Sequence, residues 1–422
     1  MIKILYGNIV FTSTSNKFDI YENSYLVSED GIIQGIYKIL PDEYKDCKVD
    51  EYKDKLIIPG LIDLHVHAPQ YAFRGLGMDL ELIEWLNTNT FPEESKYSNL
   101  EYADKAYDIF AEDLKNSFTT RASVFSTIHT QSTILLMDKL EKTGLITYVG
   151  KVNMDRNSPS YLQEDTNQSY LDTLSWIQQV NKKNYKNTKP ILTPRFIPSC
   201  SDLLLDKIKE IQIKYNLPVQ SHLSENLSEI EWVKQLCPKA KSYGEAYALH
   251  GLFGKDCKTL MAHCVYSSDK ELNLIKKSGV YIVHCPESNI NLKSGIAPIR
   301  KYLDEGFNIG LGSDVAAGAS INMFTAMVEA IQQSKIRWRL VDDSYKAITE
   351  VEAFYLATKK GGTFFGKVGS FEKGYELDAI VIDDSNLKHP QELSIQDRIK
   401  RIIYLANEKV IEAKYVKGIK II

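Results

Sequence analysis

The chain predicts an α/β fold: a (β/α)8 TIM-type barrel with a small β-sandwich domain built from both chain ends. Three observations carry this. Eight short apolar segments alternate with helical patterns over roughly 250 residues of the middle, the arithmetic of a barrel. The residues that end those segments are unusually polar. The two chain ends hold β-branched and aromatic segments, and neither end has enough strands to bury a sheet face alone. A doubly wound open sheet is the alternative, but no Gly-x-Gly-x-x-Gly follows the first strand.

At the amino end, Ile4 to Thr12, Ser24 to Ser28 and Ile32 to Tyr37 read as strands, with Asp30-Gly31 as a hairpin signal. Residues 375–383 and Tyr415 to Ile422 read as strands at the other end, and Ile395 to Leu405 is spaced as a helix. Residues 1–58 and 370–422 are therefore expected to form the small domain, and 59–369 the barrel. The barrel strands are expected at Leu61–His67, Thr119–Thr127, Ile146–Val152, Ile191–Phe196, Val219–Leu223, Thr259–Cys264, Val280–Cys285 and Ile309–Ser313. Helical spacing falls at 99–117, 132–143, 169–183, 201–215, 226–236, 268–278 and 295–305.

Composition narrows the function. The 422 residues are 44% hydrophobic and 25% charged, ordinary for a globular protein. With net charge −4 and no basic block, nucleic acid is not an expected partner. No apolar run approaches the roughly 20 residues of a membrane span. Met1-Ile2-Lys3-Ile4-Leu5-Tyr6 lacks the layout of a signal peptide. Six cysteines without Cys-x-x-Cys spacing read as reduced thiols, so a cytoplasmic location is expected.

Chemistry collects at the strand ends. Side chains alternate along a strand, so His65 and His67 project to one face and can hold one divalent metal. Strand four ends in Pro194-Arg195-Phe196, strand five in Ser221-His222-Leu223-Ser224-Glu225, and strand six in Ala262-His263-Cys264. Strand seven ends in His284-Cys285-Pro286-Glu287-Ser288-Asn289 and strand eight in Gly312-Ser313-Asp314. Singly, His222, His263 or Asp314 reads as a core or capping residue. Together they converge on one mouth. Three imidazoles and a carboxylate suit Zn2+, with Fe2+ also possible, and His65, His67, His222 and Asp314 are the assigned ligands. No lysine lies in 191–195 to bridge a second ion, which favours one metal per chain. His263 is then a free base or a partner of the water. Glu225 lies three positions past His222, where it reads either as a proton shuttle or as a helix-capping carboxylate.

On these residues the chain resembles the amidohydrolase superfamily, through Pro59-Gly60-Leu61-Ile62-Asp63-Leu64-His65-Val66-His67 to Gly312-Ser313-Asp314. It is similar, more narrowly, to the barrel-type guanine deaminases. That likeness rests on His67-Ala68-Pro69-Gln70-Tyr71, on Gly75 to Leu80, and on Glu84-Trp85-Leu86 through Thr90-Phe91-Pro92-Glu93-Glu94. Thr193-Pro194-Arg195-Phe196, Gln220 to Asn226 and Ser288 to Leu292 extend it, with Ala317 standing where those proteins often show glycine. The resemblance implies hydrolysis of the C2 amino group of guanine to xanthine and ammonia. It implies zinc on His65, His67, His222 and Asp314. Glu225 is implied as proton shuttle, and His263 and Asp314 as the groups that orient and deprotonate water. Gln70 and Arg195 are implied to hydrogen-bond the purine, and Phe196 to pack on its ring. His222, Glu225 and Asp314 are implied to touch it as well. Tyr71, Phe73, Trp85 and Phe91 are expected either to cover the pocket or to pack the loop onto the barrel. A homodimer is implied. Deamination of another heterocycle, or loss of another leaving group from a triazine-like ring, stays open on the metal ligands alone. A catalytically dead binding barrel is expected to lack ligands that this chain has.

Overall fold

The computed structural model describes residues 1–422. In chain order its strands open with β1 (Ile2–Phe11), β2 (Asp19–Glu29), β3 (Ile32–Tyr37) and β4 (Val49–Pro59). The middle follows with β5 (Leu61–His67), β6 (Thr119–Phe125), β7 (Ile146–Gly150), β8 (Val152–Asn153) and β9 (Thr188–Pro190). It continues through β10 (Thr193–Pro194), β11 (Val219–Leu223), β12 (Thr259–His263), β13 (Tyr281–His284) and β14 (Asn308–Leu311). The chain closes with β15 (Ala379–Ile382), β16 (Ile411–Val416) and β17 (Ile419–Lys420).

Both chain ends build one seven-stranded sheet in the order β17-β16-β15-β4-β1-β2-β3. Its β4 shows why an apolar triplet is needed. Successive side chains point to opposite faces. Leu56 and Ile58 join the main core of 87 buried residues, and Ile57 between them joins a separate 13-residue core enclosed by the sheet. β4 is not among the expected strands, because Asp50, Glu51, Lys53, Asp54 and Lys55 interrupt the apolar alternation of its first half. The chain passes into the barrel at Gly60, where a Cβ would lie 2.2 Å from the Thr120 side chain.

The barrel forms from β5-β6-β7-β9, from the pair β8-β10, and from β11-β12-β13-β14, all parallel. Gln220 N–H donates to Leu192 O at 2.9 Å across one seam. At the other, Asp314 N–H donates to His65 O at 2.8 Å and His67 N–H to Val315 O at 3.0 Å. This second seam places the strand-one histidines beside the strand-eight aspartate.

Three expectations change. The expected strand Ile191–Phe196 shrinks to β10, with β9 lying just before it, because Pro190 and Pro194 have no N–H for a ladder. The expected strand Tyr415–Ile422 is a hairpin, β16 turning into β17 through Lys417 and Gly418, both at positive φ. Two further helical segments follow the barrel strands. Met323–Leu340 is buried on much of its circumference and so shows little amphipathic signal, and Glu350–Tyr355 opens with a capping box from Thr349 and Glu352.

Candidate active site

Four donor atoms converge at the carboxyl-terminal mouth of the barrel. His65 Nε2 lies 3.1 Å from His67 Nε2 and 3.1 Å from Asp314 Oδ1. His67 Nε2 lies 3.3 Å from His222 Nε2 and 3.4 Å from Asp314 Oδ1. Ligands about 2.1 Å from a tetrahedral ion stand about 3.4 Å apart, so the spacing matches a zinc-like cation. Second contacts orient the rings. His222 Nδ1 meets Arg195 O at 2.6 Å, which turns its Nε2 lone pair inward. Asp63 accepts from His65 N–H at 3.1 Å and from Ser313 Oγ at 2.5 Å, tying β5 to the residue before Asp314. Burial pushes Asp63 up to about 7.

The electrostatics call for a cation. Burial, with the other imidazoles, holds His67 and His222 well below the usual histidine range, and burial also lowers His65. These rings are neutral, the form that coordinates metal. Burial alone raises Asp314, but His65, His263 and His67 outweigh it and keep the carboxylate well below its ordinary range. One carboxylate and converging lone pairs, shut away from water, repel one another until a cation sits among them. The residues present therefore fit a divalent cation.

Beside this cluster lies a proton-handling pair. Glu225 Oε2 stands 3.3 Å from His263 Nε2, and that nitrogen stands 3.7 Å from Asp314 Oδ2. Ser294 Oγ donates to Glu225 Oε1 at 3.0 Å, and Asn289 Oδ1 meets His263 Nδ1 at 3.0 Å. Burial, helped by Glu229 and Asp314, pushes Glu225 up to about 7 against the pull of His263. Burial lowers His263, but Glu225 and Asp314 overcome it and raise it. Glu225 is not a helix cap. Asn226 caps the helix Leu227–Leu236, and Glu229 returns to the backbone N–H groups of Glu225 and Asn226. Ser224, His263 and Asp314 all sit at positive φ, uncommon for residues other than glycine and concentrated at functional sites.

Above the cluster opens a cavity with about 410 Å³ of atom-free space, continuous with solvent. Of the residues singled out from sequence, His67, Gln70, Arg195, Phe196, His222, Glu225, His263 and Asp314 line it, and His65 lies beneath. Leu82, Trp85 and Leu86 bring an apolar wall from the loop after β5. The other aromatics of that loop do not reach the cavity. Tyr71 packs on Phe110 and donates its OH to Asp113 at 2.6 Å, Phe73 packs on Trp85, and Phe91 lies near Arg195. Two carboxylates escaped the sequence reading. Glu229 lines the cavity. Glu94 stands behind the wall with its oxygens on Arg195 and Gln70. The capping-box spacing Asn226-x-x-Glu229 gives Glu229 a structural role, and Glu94 enters the sequence analysis only within the resemblance that runs from Glu84 to Glu94, with no role assigned.

Known proteins share this arrangement of chain. A family model described as Amidohydrolase family matches residues 56–420. A guanine deaminase of Dictyostelium discoideum is 35% identical over 445 residues, spanning 100% of this chain and 98% of that one. A guanine deaminase of Homo sapiens is 39% identical over 395 residues, 90% of this chain and 86% of its own. Among solved structures, the guanine deaminase of C. acetobutylicum with guanine bound in its active site superposes with a TM-score of 0.97 at 50% identity, covering 100% of both chains. With a matching model over most of its length and full-length relatives at this identity, the chain belongs to the amidohydrolase family.

Proposed function

We propose that this chain hydrolyses guanine to xanthine and ammonia. One observation carries the reading: an imidazole–carboxylate cluster and the Glu225–His263 pair share the floor of a cavity walled by Arg195, Gln70 and Phe196. Full-length similarity to guanine deaminases supports it.

His65, His67, His222 and Asp314 would hold the ion. Zinc suits three imidazoles and a carboxylate, with Fe2+ as the alternative. When bound, the ion lowers the pKa of a water towards about 7 and so supplies a nucleophile at neutral pH. Glu225, raised to about 7, enters protonated, holding a proton given up by the water, and delivers it to the ring nitrogen beside C2, which makes C2 electrophilic. The water oxygen bonds to C2. Asp314, kept ionised, accepts the remaining water proton. His263 donates from Nε2 to the new oxygen. That second proton passes from Asp314 to Glu225 and on to the amino nitrogen, the C2–N bond breaks, and ammonia leaves. Arg195 donates to the purine carbonyl, Gln70 donates an amide N–H to the ring, and Phe196 packs against its face. A site that pairs its donors with a carbonyl rejects adenine, which presents an amino group there.

The domain division at 1–58 with 370–422, and 59–369, belongs to the same proposal, supported by the single sheet that joins the chain ends. A homodimer is supported by Ile336, Leu340 and Val341, exposed together at one helix end. A cytoplasmic location is supported by six free cysteines. No helix is long and apolar enough to cross a membrane. The test of the activity is product analysis. Guanine should yield equimolar xanthine and ammonia, with adenine and cytosine untouched. Inertness of fully metallated protein toward guanine contradicts the substrate while leaving the site.

A further inference from the structure

One side chain that takes no part in the reaction above holds both polar groups of the cavity wall. Glu94 is 1% exposed and lies on the short helix Phe91–Ser95. Its Oε2 accepts from Arg195 Nη1 at 2.5 Å, and its Oε1 accepts from Gln70 Nε2 at 3.0 Å. The same helix sets the Phe91 ring 5.3 Å from the Arg195 guanidinium carbon. Gln70 is pinned again where its Oε1 accepts from Ala316 N–H at 3.3 Å, so its amide cannot flip without losing both contacts. Arg195 is itself only 3% exposed. A guanidinium buried beside a cation site needs a compensating charge, and the Glu94 carboxylate supplies it. With one N–H committed to Glu94, the planar fork keeps its other donors in a fixed direction.

We propose that Glu94 is a positioning residue that sets discrimination for a carbonyl-bearing purine, by locking the Arg195 fork and the Gln70 amide as donors into the cavity. The proposal rests on the guanine reading, and binding probes separate the two. Hypoxanthine has the carbonyl but no amino group to lose, and unsubstituted purine has neither. Inhibition constants for both ligands, and kcat and KM for guanine, are measured with metal content on the intact enzyme and on E94Q and E94D. In E94Q, KM for guanine should rise about tenfold or more with kcat within about threefold, as expected when binding common to ground and transition states is lost. Hypoxanthine should weaken in parallel and more than purine, which loses only the Gln70 contact, so the ratio of their inhibition constants falls. E94D, which restores the charge, should recover part of it. On an R195M background, E94Q should keep only the smaller loss that runs through Gln70. An unchanged inhibition ratio in both variants overturns the proposal. So does equal weakening of both ligands, or a loss confined to kcat. If the unaltered protein leaves guanine untouched, the functional reading fails, and the hypoxanthine-to-purine ratio still decides the role of Glu94.

Discussion

Near the start of β6, Arg121 is 2% exposed and fully engaged. Its Nε donates to Asp378 Oδ2 at 2.6 Å and its Nη2 to Glu376 Oε2 at 2.7 Å. Close by, buried Lys414 donates to the carbonyls of Lys115 and Ser117, each at 2.8 Å. At the opposite end of the barrel, His67 Nδ1, His263 Nε2 and both ring nitrogens of His284 are buried without a hydrogen-bond partner. Both regions are dry and rich in ionisable groups. The first spends its charges on one another and seams the small sheet to the barrel. The second leaves donors and acceptors open, a costly state that makes sense where an ion and a substrate are to be bound. Removing a group should thus cost stability at one end and activity at the other.

The largest effect is expected at the mouth. H222A should lose bound metal and with it essentially all turnover, while melting of the metal-free chain changes little; full metal content with full turnover removes His222 from the ligand set. E225Q should keep its metal and lose about 10²–10⁴-fold in kcat, the usual worth of a positioned acid–base group. At the seam the pattern should invert. D378A leaves buried Arg121 with only the partly exposed Glu376 as counter-charge and should cost about 3 kcal/mol in denaturant unfolding, with kcat per folded molecule unchanged. A D378A protein as stable as the parent would erase the distinction between the two regions.

The pH profile sharpens the comparison further. Glu225 acts in its protonated form, and burial raises it to about 7. The protonated fraction falls as pH rises through that value. The kcat/KM for guanine should therefore decline above about pH 7, approaching tenfold per unit, and a rate flat to pH 9 contradicts the role of Glu225. The smallest effect is expected at the edge of the mouth, in the segment that follows β5. Y71F removes one hydrogen bond to half-exposed Asp113 and should cost about 1 kcal/mol or less, leaving KM for guanine unchanged. A raised KM would return Tyr71 to the pocket lid.

The two regions also differ in how far sequence reveals them. His65 and His67 are legible because alternation within one strand puts both on one face. His222, His263 and Asp314 are legible because barrel strands deliver their last residues to a common mouth. Glu94 is not, since its meaning lies in contact with Arg195, 101 residues away, and no local period marks it. The seam is hidden for the same reason, with Arg121 and Asp378 257 residues apart. In the fold, the apolar run from Leu56 through Leu64 stands out in the sequence and leads into His65 and His67, whereas the expected fourth strand is cut down to β10 by Pro194. The charged first half of β4 takes part in the sheet through backbone pairing with β1, which side-chain patterning does not record.

The most direct test of the contrast between an open mouth and a closed seam is metal content measured alongside guanine turnover, through chelation and reloading. We expect about one ion per chain, turnover lost on chelation and restored by zinc or iron(II), and a fold that persists throughout because Arg121, Asp378 and their neighbours need no ion. Undiminished guanine turnover by protein shown to be free of metal would contradict the account.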